Sequence, residues 1–307
     1  MSSAPRNALP STLLDWGSVS PLRLKAISLT EGLYSGVHRS KRRGSGIEFD
    51  GHRNYVPGDD LRRLDYRAMM RHGRLLVRQF ETETERCLCL LVDASLSMNF
   101  KSARAPTTKY AYAALLAAAL GRVAIATGDL LSLDWVGGET PIALPTSGGR
   151  EAFERLVTAL EAVRFGGDDA LQQSDFDHVL SPVARRARRG AVVVLLSDLL
   201  DLPAQASEQF AALSNRNRRA VTVRVLDPVE VTFPFQGPVR LKGSYGPALV
   251  ETDAAQARAG YLAALEAQRT SWQERLVPQG GRLVECQTDE APIEVLRRIL
   301  RAAESTQ

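Results

Sequence analysis

Residues 87–93, CLCLLVD, and residues 190–198, GAVVVLLSD, are nearly unbroken apolar runs, and each ends on an aspartate. A strand with one wet face alternates apolar and polar side chains. A run that is apolar on both sides belongs in the middle of a sheet covered on both faces, which is the habit of parallel sheets. Two such strands in one chain require helices on both sides of the sheet and crossover connections between the strands.

The rest of the pattern supplies those helices. Helical spacing or length predicts helices over Leu22–Leu33, Thr108–Thr127, Arg150–Val163, Asp175–Arg188, Pro203–Asn215, Thr252–Val277 and Pro292–Ala303. Further strands are read at Leu75–Phe80, in DLLSLDWVG with TPIALP as its hairpin partner, in AVTVRVLD, in short pieces between Thr232 and Val250, and in GRLVECQ. Strands alternating with helices predict an α/β fold, a doubly wound and mostly parallel sheet. The domain reading is a loose arm over residues 1–21, an appended segment over 22–85 and the α/β domain over 86–307.

Composition narrows the class. With 307 residues, 44% of them hydrophobic, the chain can bury a real core. Three cysteines, Cys87, Cys89 and Cys286, do not make a disulfide framework. Cys87 and Cys89 lie two apart in a strand, so they share a face as small apolar residues. The first ten residues lack the charged and apolar regions of a signal peptide. The Ala-rich stretch 110–127 suits a buried helix better than a membrane span, and the expected location is the cytoplasm.

In a doubly wound sheet, ligands bind beyond the carboxyl ends of the strands. The first buried strand runs directly into DASLSM, where Asp93, Ser95 and Ser97 follow at spacings of two. One carboxylate and two hydroxyls are hard oxygen donors suited to Mg²⁺ or Mn²⁺. The second buried strand ends in LLSDLLD and brings Asp198 to the same kind of edge. The alternative is structural: Ser and Asp after a strand also serve as caps and backbone hydrogen-bond partners.

DASLSM and LLSD in this arrangement resemble the metal-ion-dependent adhesion site of von Willebrand factor A domains. Upstream, RNYVPGDDLRRLDYRAMMRHGRLLVRQFETE is similar to the bacterial family known as domain of unknown function fifty-eight, whose members often accompany MoxR-type AAA+ ATPases. The resemblance covers roughly residues 22–201. It implies a sheet of von Willebrand factor A type and a divalent ion at Asp93, Ser95 and Ser97, with Asp198 as a further ligand or supporting group. It also implies a Thr on an intervening loop. Here that stretch reads GGDDALQQSDFDHVL, where Ser174 is the best stand-in and Asp168 and Asp169 are alternatives. The implied role is non-enzymatic: an adaptor whose ion meets an acidic protein partner, an AAA+ ATPase or its client.

Two basic features stand outside that site. His38, Arg39, Lys41, Arg42 and Arg43 lie in a Gly- and Ser-rich loop, as candidates for partner contact or as a solvated arm. Asp59, Asp60, Arg62, Arg63, Asp65, Arg67, Arg71, Arg74 and Arg78 form a dense mixture, read as an ion-pair network or as a surface for phosphate or acidic groups. Nucleic-acid binding through these arginines lacks aromatic interleaving. A phosphotransfer enzyme is also disfavoured. Haloacid-dehalogenase-like phosphatases carry a second Asp where Ser95 stands, the four histidines match no triad spacing, and TSGGRE lacks the lysine of a phosphate loop.

Overall fold

A computed structural model describes residues 22–36, 48–56, 64–81, 86–139, 143–165, 173–214, 218–243 and 249–304. They divide into two compact units, one holding the first helix and everything from Arg86 onward, the other drawn from residues 37–85.

The larger unit is built on a six-stranded sheet. Its strands are β3 (Cys87–Asp93), β4 (Leu130–Val136), β5 (Leu144–Ser147), β6 (Val192–Ser197), β7 (Arg219–Leu226) and β10 (Arg282–Gln287), in the order β10-β7-β6-β3-β4-β5. All neighbours pair in parallel except β4 with β5. The hairpin partner of β4 therefore exists, but it lies at 144–147, later than TPIALP at 140–145. The chain reverses through Gly137 and Gly138, at φ 68° and 81°, in the left-handed region glycine enters without steric cost.

β3 is buried throughout because both its faces are covered. Leu88, Leu90 and Val92 point into one core, together with residues of α1 (Leu22–Gly36), α3 (Lys109–Thr127), α4 (Gly149–Glu161) and α9 (Pro292–Glu304). Cys87, Cys89 and Leu91 point into a second core with α5 (Gln173–Arg186), α6 (Ala206–Ala212) and Trp272 and Leu276 of α8 (Ala254–Leu276). The two thiols are free and 3.6 Å apart, on one face as their spacing requires.

α3 is the central helix of the first core. It is long and apolar enough to cross a membrane by length and composition, yet 67% of that window is buried within the fold. Its small residues permit close approach: a Cβ on Gly121 would stand 2.3 Å from Leu156 Cδ2 of α4. α5 starts two residues earlier than its apolar spacing suggests and ends on Arg186. The basic run at that C-terminus does more than complement the helix dipole. One Arg186 nitrogen lies 2.5 and 2.6 Å from the two oxygens of Asp134 on β4.

The helix at 22–36 departs from the domain reading, which placed it with the appended segment. It packs against α3, α4 and α9, and Leu22 and Ala26 are fully buried in the first core. Its apolar face has its partners in the α/β unit, so it is grouped there. The short strands read between Thr232 and Val250 are the antiparallel hairpin of β8 (Pro238–Lys242) with β9 (Leu249–Asp253), the latter running three residues further than expected, whereas α7 (Pro228–Thr232), one short turn, was not expected.

The smaller unit pairs β1 (Glu48–Asn54) with β2 (Leu76–Glu81) antiparallel and carries α2 (Tyr66–His72) between them. Asp65 caps α2, its Oδ1 accepting from the amides of Arg67 and Ala68 at 3.0 Å, and Gly73 ends it in a left-handed turn. Arg67, Arg71 and Arg74 are exposed. Within the proposed ion-pair network, Asp65 is thus committed to a helix start, a role its position before YRAMM signals.

Candidate metal and partner site

β3 and β6 are adjacent and parallel, with Val92 level with Leu196. That register brings Asp93, at the end of β3, beside Ser197 and Asp198 at the end of β6. The two aspartates therefore share the carboxyl rim of the sheet.

Asp93 is fully buried. Its Oδ1 accepts the amide of Ser95 at 2.8 Å, and its Oδ2 accepts the hydroxyl of Ser197. Ser95 opens a 3-10 turn over Leu96–Asn99, but its side chain caps no amide of that turn. Instead the hydroxyls of Ser95 and Ser97 face one another at 3.0 Å. The two serine hydroxyls thus converge, while Asp93 and Asp198 each accept a backbone amide, from Ser95 and Leu200, as the structural alternative expects.

Burial, followed by the charge of Asp198, pushes the Asp93 carboxyl up to about 7, while hydrogen bonds from Ser197 and Ser95 work the other way. Asp201 behaves alike: burial and then Asp198 raise its carboxyl, against Ser97 and Lys109. Its Oδ2 is shut off from solvent and has no hydrogen-bond partner. Between Asp198 and Asp201 the chain turns through Leu199, at φ 68°, an uncommon conformation for a bulky residue. Two side chains hold that turn: Ser197 Oγ accepts from Leu199 N at 2.8 Å, and Asp198 Oδ1 accepts from Leu200 N at 2.9 Å.

The donor set fits a hard divalent cation. Two hydroxyl oxygens 3.0 Å apart match adjacent corners of an octahedron with metal–oxygen distances of about 2.1 Å. The Asp201 carboxyl interacts with the same Ser97, and its buried Oδ2 is an acceptor left without a hydrogen-bond partner. Among the described residues no three His, Cys, Asp or Glu side chains are grouped to hold a metal. Asp93, Ser95 and Ser97 would hold an ion largely through hydroxyl oxygens, a donor set that suits magnesium or manganese rather than zinc.

Ser174 lies in the first turn of α5 rather than before it. Its side chain, Asp168, Asp169 and the basic loop at 38–43 lie outside the described residues. Four site residues were missed in the sequence. Ser197 and Asp201 stand in the quoted LLSDLLD without being singled out. Lys109 is the first residue of α3 and fully buried, its ammonium 2.7 Å from Asp198 Oδ2 and 2.5 Å from Glu230 Oε1. Burial works to lower the Lys109 pKa, but Asp198 and Glu230 outweigh it and leave the group above its ordinary value. A lone Lys opening an Ala-rich apolar helix was the available signal, because a buried ammonium needs a carboxylate. The signal for Glu230 was DPVE: Asp227 caps α7, Pro228 follows, and Glu230 reaches back to the Asp227 amide at 2.8 Å.

A mostly parallel sheet with one antiparallel edge and helices on both faces makes this an α/β domain of the doubly wound class, and the solved structures it is similar to include von Willebrand factor A domains. The chain belongs to the family described as Protein of unknown function DUF58, which matches residues 51–271. The uncharacterized protein Rv1480 of Mycobacterium tuberculosis is 28% identical over 249 residues, covering 78% of this chain and 77% of its own. Among solved structures, the conserved hypothetical protein BatB of Bacteroides thetaiotaomicron is 14% identical with a TM-score of 0.44, covering 72% of this chain and 100% of its own. An aerotolerance-related membrane protein of Bacteroides fragilis is 14% identical with a TM-score of 0.44, covering 71% and 98%. The SpRpn10 VWA domain is 10% identical with a TM-score of 0.41, covering 73% and 100%.

Proposed function

We propose that this protein is a non-enzymatic adaptor that holds Mg²⁺ or Mn²⁺ at Asp93, Ser95 and Ser97 and uses it to engage an acidic segment of a partner protein. The observation that carries the reading is the meeting of the Ser95 and Ser97 hydroxyls beside the buried Asp93 carboxylate. The family and the fold are consistent with a protein-interaction role. When bound, the ion would supply an open coordination position for a carboxylate. The chain's own residues do the rest: Ser197 and the Ser95 amide orient Asp93, and Asp198 anchors the turn that carries Asp201. Phe100 and Leu200, 41% and 37% exposed, follow the two site loops and offer apolar contact to whatever docks.

Asp201 is preferred over Ser174 as the additional oxygen donor, on the strength of its orphaned Oδ2. The partner is proposed to be a MoxR-type AAA+ ATPase or its client, and the place of action the cytoplasm. Catalysis is disfavoured because Lys109 is tied to two carboxylates at the rim.

Calorimetry tests the ion. Wild-type protein is expected to take up Mg²⁺ or Mn²⁺ at millimolar metal, and Asp93→Ala or the double variant Ser95→Ala/Ser97→Ala to lose that uptake with an unchanged circular-dichroism spectrum. No uptake by the wild type rejects the ion. Partner capture that survives chelation rejects the ion-bridged contact.

A further inference from the structure

We propose that Lys109 is a built-in competitor for the divalent ion, a tethered cation that sets how tightly the rim holds metal. The inference rests on the ion-site reading above and deepens it.

Lys109 is out of place by every local rule. It opens a 19-residue helix, where the dipole favours negative charge, and its side chain is fully buried. What holds it is the carboxylate pair. Nζ takes Asp198 Oδ2 at 2.7 Å and Glu230 Oε1 at 2.5 Å, and it lies 5.7 Å from the centre of the Phe100 ring. The other Asp198 oxygen accepts the Leu200 amide, so both oxygens of this rim carboxylate are engaged within the chain.

The far end of the pair is equally fixed. Glu230 Oε2 accepts the amide of Asp227 at 2.8 Å, and Asp227 in turn accepts from Val229 N at 2.9 Å and Ser102 N at 2.8 Å. Lys109 thus links the end of β6 to α7 and to the loop that follows the Ser95–Ser97 turn. It cannot drift away from Asp198 without disturbing both.

The charge balance gives the consequence. Asp93, Asp198, Asp201 and Glu230 bring negative charge to this rim, and Lys109 neutralises part of it. An ammonium held in the same buried rim by Asp198 would repel a divalent ion entering beside Asp93, and the mobile ion would bear that repulsion. The lysine therefore keeps the resting affinity low, so that a partner's carboxylate is needed to complete a stable site. Removing the lysine charge should tighten metal binding, whereas removing the Glu230 charge should weaken it, since that leaves the ammonium wholly to Asp198. A lysine that only props up the fold would give losses in both cases.

The test uses the full chain, with Mn²⁺ and Mg²⁺ as probes, read by calorimetry and by the metal-induced rise in melting temperature. Lys109→Met is expected to bind at least about tenfold tighter than wild type and to gain more in melting temperature from metal. Glu230→Gln is expected to bind more weakly. If wild type binds metal and a folded Lys109→Met binds no tighter, the competitor role is overturned while the ion site stands. If no variant binds metal, both fall. Should Lys109→Met fail to fold, the double variant Lys109→Met/Glu230→Gln, which removes both charges of the buried pair, is compared with Glu230→Gln alone: tighter binding than the single variant supports the role, and equal or weaker binding overturns it.

Discussion

Gly138 stands two residues beyond β4 at φ 81°, and a Cβ there would lie 2.8 Å from Ala94 Cβ and 3.2 Å from the Arg164 carbonyl. Ala94 sits between Asp93 and Ser95 and is itself fully buried, its amide bonded to Val136 O at 2.8 Å. One methyl group at 138 therefore pushes directly on the turn that aims the hydroxyls. Gly128 is the control, with a similar φ of 86° and open space around its Cβ position. Both alanine variants incur backbone strain of about 1–3 kcal/mol. Gly138→Ala is expected to lose more stability in urea than Gly128→Ala and, unlike it, to weaken metal uptake. Equal effects of the two on both measurements would show that the contact with Ala94 is relaxed at no cost.

Among the elements, β3 carries both the core and the site. Leu90 lies at its centre, fully buried in the first core. Leu90→Ala is expected to cost about 2–5 kcal/mol in chemical denaturation, the usual range for a large-to-small change in a packed interior. Leu24 on α1 is 48% exposed, and Leu24→Ala should stay within about 0.5 kcal/mol. A small loss at Leu90 would mean that the two cores are less tightly packed than the burial of β3 implies. α3 is the other decisive element. Its composition alone is compatible with lipid, and its burial among α1, α4 and the sheet assigns it to the protein interior.

Across the whole molecule the two units differ in what they bury. The α/β unit has two separate cores on opposite faces of one sheet. In the smaller unit, Ala68 and Val77 are the fully buried apolar side chains among the described residues. A segment of that length falls in the size range where a single hydrophobic cluster seldom stabilises a fold by itself. A peptide spanning residues 37–85 is therefore expected to show no cooperative thermal transition by circular dichroism. A sigmoidal melt would show that it is a domain in its own right.

The α/β class, the two central strands and most helices were legible in the sequence, because burial on both faces leaves an unmistakable apolar run and because helical spacing is local. Asp93, Ser95 and Ser97 were legible for the same reason: all three follow one strand within five residues. Asp198 could be placed at a strand end, but only the register of β6 on β3 puts it at the same rim. The partnership of Lys109 with Asp198 and Glu230 spans 89 and 121 residues and leaves no periodic trace. The allegiance of α1 was hidden likewise, since its apolar stripe says that it packs but not against what. Local order is written in neighbouring residues, whereas the charge balance of the rim arises only when the sheet brings three strand ends and a helix start together.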